Sequence, residues 1–179
     1  MFARFLSGVW VLAGLLLSVT TWAADDNHYS LGSGDVISIN VFGEGDLSLD
    51  KVRLNDAGKF SYPFLGEIDA AGKTASQLEQ QLVGGLKDGY LVAPRVSVRI
   101  LEYRDFFVNG EVKSPGGYPF KPGLTLRKAI ALAGGFTERA SKSKLSIIRD
   151  ADADRTPQQA SLETRIMPGD LITIEQSFF

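Results

Sequence analysis

Residues 34–42 read Gly34-Asp35-Val36-Ile37-Ser38-Ile39-Asn40-Val41-Phe42. A Gly-Asp turn opens a run in which Val36, Ser38 and Asn40 alternate with Ile37, Ile39 and Val41. That period of two makes a β-strand with one largely apolar face. The pattern returns late in the chain as Gly169-Asp170-Leu171-Ile172-Thr173-Ile174. The echo fits either a relation between the two halves or convergence on a common turn-strand element, and neither copy is by itself a catalytic signal.

Working outward, the two glycines in residues 43–46 break the first strand. Residues 52–54 and 60–64 flank Asn55-Asp56-Ala57-Gly58, a run of turn residues, which predicts a β-hairpin. Residues 65–68 continue as a short strand. Thr74-Ala75-Ser76-Gln77 is a capping box, and Leu78, Leu82 and Leu86 behind it mark one helix face, with Gly84-Gly85 weakening its end. Residues 95–101 alternate again and close a first unit of strands, one helix and a strand.

The second half uses the same parts. Residues 106–110 form a strand, and residues 114–117 turn into Tyr118-Pro119-Phe120. Thr125 is expected to cap a helix with the apolar face Leu126, Ala129, Ile130 and Ala133, stopped by Gly134-Gly135. Strands are expected at residues 145–149 and 171–175, with a polar crossing loop between them. The boundary falls within residues 102–105. The fold class is α+β, in two small domains.

The 179 residues carry 44% hydrophobic and 22% charged side chains, an ordinary globular balance. No cysteine is present, which excludes disulfides, thiolate metal sites and thiol nucleophiles. One histidine, His28, excludes a multi-histidine metal centre, and a net charge of -2 argues against a nucleic-acid partner. Residues 1–23 differ in character: Arg4 precedes an uncharged apolar run over residues 5–19, and Thr21-Trp22-Ala23 offers small residues to a signal peptidase. The expectation is a signal peptide cleaved after Ala23, and, without a cysteine, no lipoprotein processing. Both tryptophans, Trp10 and Trp22, leave with it.

Motif chemistry is sparse. Gly32-Ser33-Gly34 precedes a strand rather than opening a helix, so it is not a dinucleotide loop, and no P-loop is present. His28 lies too near the cleavage point to anchor a Ser-His-Asp triad. The acids Asp35, Glu44, Asp46, Asp105, Glu111 and Asp170 offer paired carboxylates for glycan cleavage, but acids in Gly-rich turns ordinarily cap and turn. Phe178-Phe179 ends the chain in rings that pack on a neighbour or cover a sheet edge. No enzyme activity, cofactor or metal is expected.

In order and spacing, these stretches resemble the bacterial outer-membrane polysaccharide export family, the Wza-like proteins. The residues that carry the resemblance begin with 29–43, Asp46-Leu47-Ser48, 60–68, Ala71-Gly72-Lys73-Thr74, the helix through Leu82, and 94–98. Val108 to Val112, Pro115-Gly116-Gly117-Tyr118 and residues 126–135 follow. The resemblance implies a polysaccharide export domain over residues 24–103 and a soluble-ligand-binding β-grasp (SLBB) domain over 104–179. It marks Gly34, Asp35, Gly66, Gly110, Glu111, Pro115, Gly116, Gly134 and Gly135 as motif positions, structural or facing the polysaccharide.

It further implies a periplasmic ring of identical subunits, associated with the outer membrane, that conducts capsule or exopolysaccharide. An inner-membrane polysaccharide co-polymerase, often a tyrosine kinase, is the implied partner. Longer members cross the outer membrane through an amphipathic C-terminal helix. This sequence reaches Phe179 without one, so a periplasmic ring or adaptor is expected, with a separate outer-membrane β-barrel completing the path. Two other classes stay open at this point: a periplasmic carbohydrate-active enzyme using paired acids, and a monomeric sugar-binding module.

Overall fold

The computed structural model describes residues 29–177. The leader, His28 and Phe178-Phe179 lie outside the described residues. Residues 29–102 build a three-stranded antiparallel sheet in the order β2-β1-β5, from β1 (Val36–Val41), β2 (Leu49–Arg53) and β5 (Val96–Glu102). Ile37, Ile39 and Val41 point inward, as the alternation of residues 34–42 requires, and Ser38 and Asn40 point out. Helix α1 (Ala75–Lys87) covers the inner face with Leu78, Leu82 and Leu86, each 0% exposed. Thr74 Oγ1 accepts the Gln77 amide while Gln77 Oε1 accepts the Thr74 amide, which completes the capping box.

Residues 106–177 form a mixed five-stranded sheet in the order β7-β6-β10-β8-β9. Its members are β6 (Phe106–Gly110), β7 (Gly116–Tyr118), β8 (Ala140–Ile148), β9 (Gln158–Gln159) and β10 (Leu171–Gln176). At its centre β10 runs parallel to β6 and antiparallel to β8. Helix α2 (Leu126–Leu132) seats Leu126, Ala129 and Ile130 in a second core with Phe106, Val108, Ile147 and Ile172. The architecture is α+β with two separate hydrophobic cores.

Four details depart from the periodicity. The turn at Asn55–Gly58 is present, with Asn55 Oδ1 accepting the amides of Ala57 and Lys59, yet the strands on either side do not pair with each other. β2 is taken by β1, while β3 (Lys59–Tyr62) pairs with β4 (Gly66–Asp69) in a separate hairpin. Gly84-Gly85 lies inside α1 rather than ending it, and Leu65 packs where a side chain at Gly85 would project. Thr125 stands at the N-cap of α2 but its side chain makes no capping bond. The carbonyls of Thr164 and Leu162 accept the Leu126 and Arg127 amides instead, so the crossing loop does the capping. Finally, β8 starts five residues earlier than its apolar run, because Ala140 pairs with Gln176.

Candidate functional site

The two cores meet at the segment that joins them, and the polar groups there come from the two Gly-Asp turns. In the first turn Gly34 has φ +87, and the Asp35 carboxylate, 0% exposed, turns back to accept the Gly32 amide at 2.8 Å. In the second, Gly169 has φ +83, and Asp170, 1% exposed, accepts the Met167 amide at 2.7 Å. Each carboxylate thus bonds the amide three residues before it and then opens an inward-packed strand. The sequence echo is one local structure used twice.

Both carboxylates are charges without water, so each needs cations and donors around it. Asp35 receives the Tyr29 hydroxyl, the Arg104 amide at 2.8 Å and the Arg104 guanidinium at 3.4 Å. Asp170 receives Arg149 Nη1 at 2.6 Å. Burial pushes the Asp170 carboxyl above its ordinary pKa, while the Met167 amide and Arg149 pull it back down. Burial and the bond it donates to Asp35 push the Tyr29 hydroxyl upward too.

Arg104 links the units. Its Nη1 donates to the Tyr29 hydroxyl at 2.8 Å, and its Nη2 bonds Asp150 Oδ2 at 2.9 Å, a residue of the second unit just past β8. Asp150 also holds Arg155 at 3.3 Å. The guanidinium needs space that only glycine leaves: a Cβ on Gly32 would lie 2.2 Å from Arg104 Nη1, and one on Gly169 would lie 2.7 Å from its Nε. Alongside, Tyr103 stacks edge-on between Tyr29 at 5.0 Å and Phe120 at 5.3 Å, carrying an aromatic contact from one core to the other. A cleft of about 490 Å³ opens beside this node, lined by Tyr29, Ser30, Gly72, Arg149, Asp152 and Met167.

The motif positions named from sequence fall in three places. Gly34 and Asp35 lie in the node. Gly110, Glu111, Pro115, Gly116, Gly134 and Gly135 gather where the end of β6 meets the end of α2. There Lys113 donates to the Gly135 carbonyl, Ser114 donates to the Ala133 carbonyl, and Glu111 accepts from the Thr137 hydroxyl. Gly110 has φ +85, and a Cβ there would lie 2.0 Å from the Ile174 carbonyl oxygen, so β6 and β10 approach as they do only because residue 110 is glycine. Gly66, with φ +71, follows the β3–β4 turn, apart from both groups. Tyr29 lies in the motif stretch 29–43, but Arg104 and Asp150 escape a reading by motif, since Arg104 lies 69 residues from Asp35 and 46 from Asp150. The sequence marks only the repeated Gly-Asp turn; it is the burial of its aspartates in the structure that demands a cation from elsewhere in the chain.

As chemistry, Asp35 and Asp170 spend oxygens on backbone amides and arginines: Asp170 closes a turn within the second unit, Asp35 also joins Arg104 at the junction, and Arg104 Nε alone is buried there without a hydrogen-bond partner among the described residues. Among the described residues no group of three histidine, cysteine or acidic side chains is placed to hold a metal ion, and no helix is long and apolar enough to cross a membrane.

Comparison with known proteins places two family models on the chain in this order. The polysaccharide biosynthesis/export protein family matches residues 23–101, and the SLBB domain matches residues 106–159. The exopolysaccharide production protein ExoF of Rhizobium meliloti (strain 1021) is 33% identical over 141 residues, covering 70% of this chain and 32% of its own length. The EPS I polysaccharide export outer membrane protein EpsA of Ralstonia nicotianae (strain ATCC BAA-1114 / GMI1000) is 28% identical over 179 residues, covering 91% of this chain and 46% of its own length. The chain therefore spans 32% to 46% of the length of these relatives, and neither name describes a catalytic activity.

Proposed function

Since a polysaccharide biosynthesis/export family model matches residues 23–101 and an SLBB model follows over residues 106–159, we propose that the chain serves in the export of capsule or exopolysaccharide as a periplasmic, non-enzymatic component. The observation that carries this reading is the order of the two domains over residues 23–159. In this reading copies of the chain assemble into a ring or adaptor associated with the outer membrane. The polymer passes through it from an inner-membrane co-polymerase toward a separate outer-membrane barrel. The domains divide at residues 103 and 104, and the leader is removed after Ala23.

Two features support assembly from rigid subunits. The Arg104 node ties the two units of one chain in a fixed orientation, which a closed ring of identical contacts requires. The first unit also exposes an apolar set that association would cover. Phe64, 67% exposed and held at φ +62, packs against Tyr90 at 5.2 Å, and Val92 is 97% exposed. The motif glycines at the β6–α2 corner shape the loops that border the path, where dispersed weak hydrogen bonds suit a sliding polar chain better than one tight site.

Light scattering of the mature chain tests the assembly. A discrete oligomer is expected, reduced to smaller species by the double variant Phe64→Glu, Val92→Glu. A wild-type chain that stays monomeric at high concentration contradicts the ring.

A further inference from the structure

Among the described residues, no helix or second sheet covers the outer face of the first sheet. Helix α1 covers the inner face, where Ile37, Ile39 and Val98 join Leu78, Leu82 and Leu86 in the core. On the opposite face the register sets Ser38 beside Arg99 and Asn40 beside Ser97, and Phe42 donates its amide to the Arg95 carbonyl at the end of the row. A shallow groove of about 310 Å³ runs along this face, lined by Ser38, Asn40, Phe42, Asp50, Ser97 and Arg99.

Three observations point to a ligand for this groove. The side chains of Ser38, Asn40, Asp50, Ser97 and Arg99 make no hydrogen bond among the described residues, so a full set of donors and acceptors stands free along one line. Phe42 is 58% exposed, with the Arg95 guanidinium 5.7 Å from its ring centre. Cations also outnumber acids here in a chain of net -2: among the described residues Arg95 and Arg99 have no carboxylate partner, Asp50 is the one acid lining the groove, and Glu102 is already taken by Lys51 and Arg53 at the far end.

Free hydroxyl and amide groups match sugar hydroxyls. An exposed ring receives the C–H face of a pyranose, and a guanidinium fits a carboxylate in two parallel bonds. We propose that this face is a binding groove for an anionic polysaccharide segment, one whose sugars carry carboxylates. It rests on the export reading and names the contact surface that reading lacks. Arg99 and Arg95 hold the carboxylates, Ser38, Asn40 and Ser97 bond the hydroxyls, and Phe42 carries one ring. Each contact is exposed and individually weak, so a segment can exchange from one subunit to the next.

Fluorescence anisotropy of labelled polygalacturonate oligosaccharides with the full mature chain tests the groove. Arg99→Gln and Phe42→Ala are each expected to weaken binding about tenfold. Lys128→Gln, which removes a charge from the exposed side of α2, should leave binding unchanged, and neutral dextran oligosaccharides should not compete. Circular dichroism of each variant confirms that it is folded. Absence of polygalacturonate binding, equal affinity in the groove variants, or an equal loss in Lys128→Gln overturns the proposal. A second arm separates it from the export reading: a strain lacking the gene is complemented with the wild type or with the double groove variant. Full restoration of surface polymer by the double variant overturns the groove alone. Unaltered surface polymer in the uncomplemented strain overturns the export reading and the groove with it.

Discussion

Arg104 pairs with an acid from each unit while its side chain is 18% exposed. Replacing it with alanine leaves Asp35 with the Tyr29 hydroxyl and two amides but no cation. Asp35 keeps part of its shell, so the cost is set at about 2 kcal/mol, below that of a fully stripped buried charge. Urea denaturation of Arg104→Ala measures it, and a change under about 0.5 kcal/mol would contradict the role given to the node. The other buried acid makes a pH prediction. Asp170 has its folded pKa raised above 3.8, mainly by burial, so the folded chain takes up that proton more readily than the unfolded one. The stabilising contribution of this group is therefore fully present below about pH 3.8 and is lost as pH rises through the folded value. A carboxyl-carbon NMR titration is expected to place the Asp170 midpoint above 3.8; a midpoint below it contradicts the dominance of burial over Arg149.

At the scale of elements, the two helices begin in different ways. Thr74 caps α1 with its side chain, so Thr74→Ala should cost about 1 kcal/mol. Thr125 occupies the same position on α2 without making that bond, and Thr125→Ala should cost less than about 0.5 kcal/mol in the same thermal unfolding measurement. Equal losses would mean that the Leu162 and Thr164 carbonyls do not substitute for the missing cap. This pair also marks how much of the fold was legible. A capping box and a leucine every fourth residue are local signals, and α1 follows them; the alternations at residues 36–41 and 106–110 are local too, and both are strands. Strand partners are not local. The turn at Asn55–Gly58 forms as its residues require, but which strand β2 joins is decided by burial of Val52 and Leu54 against β1, and only the assembled core expresses that. The same limit hid Arg104. Asp35 and Asp170 were visible as turn acids, but sequence carries no mark of being buried, and it was burial that called for an arginine 69 residues away.

For the whole molecule, two cores are joined through one charged, aromatic junction. One sheet face is polar and open, and Phe64, Tyr90 and Val92 form an exposed apolar set that the proposed assembly would cover. These are the features on which the proposed export role draws. The central claim is that the chain serves export and not synthesis. Deleting the gene in its native host and measuring polymer separately inside and outside the cell tests that claim most directly. Continued synthesis with polymer retained inside and lost from the surface is the predicted result; surface polymer at the wild-type level would contradict it.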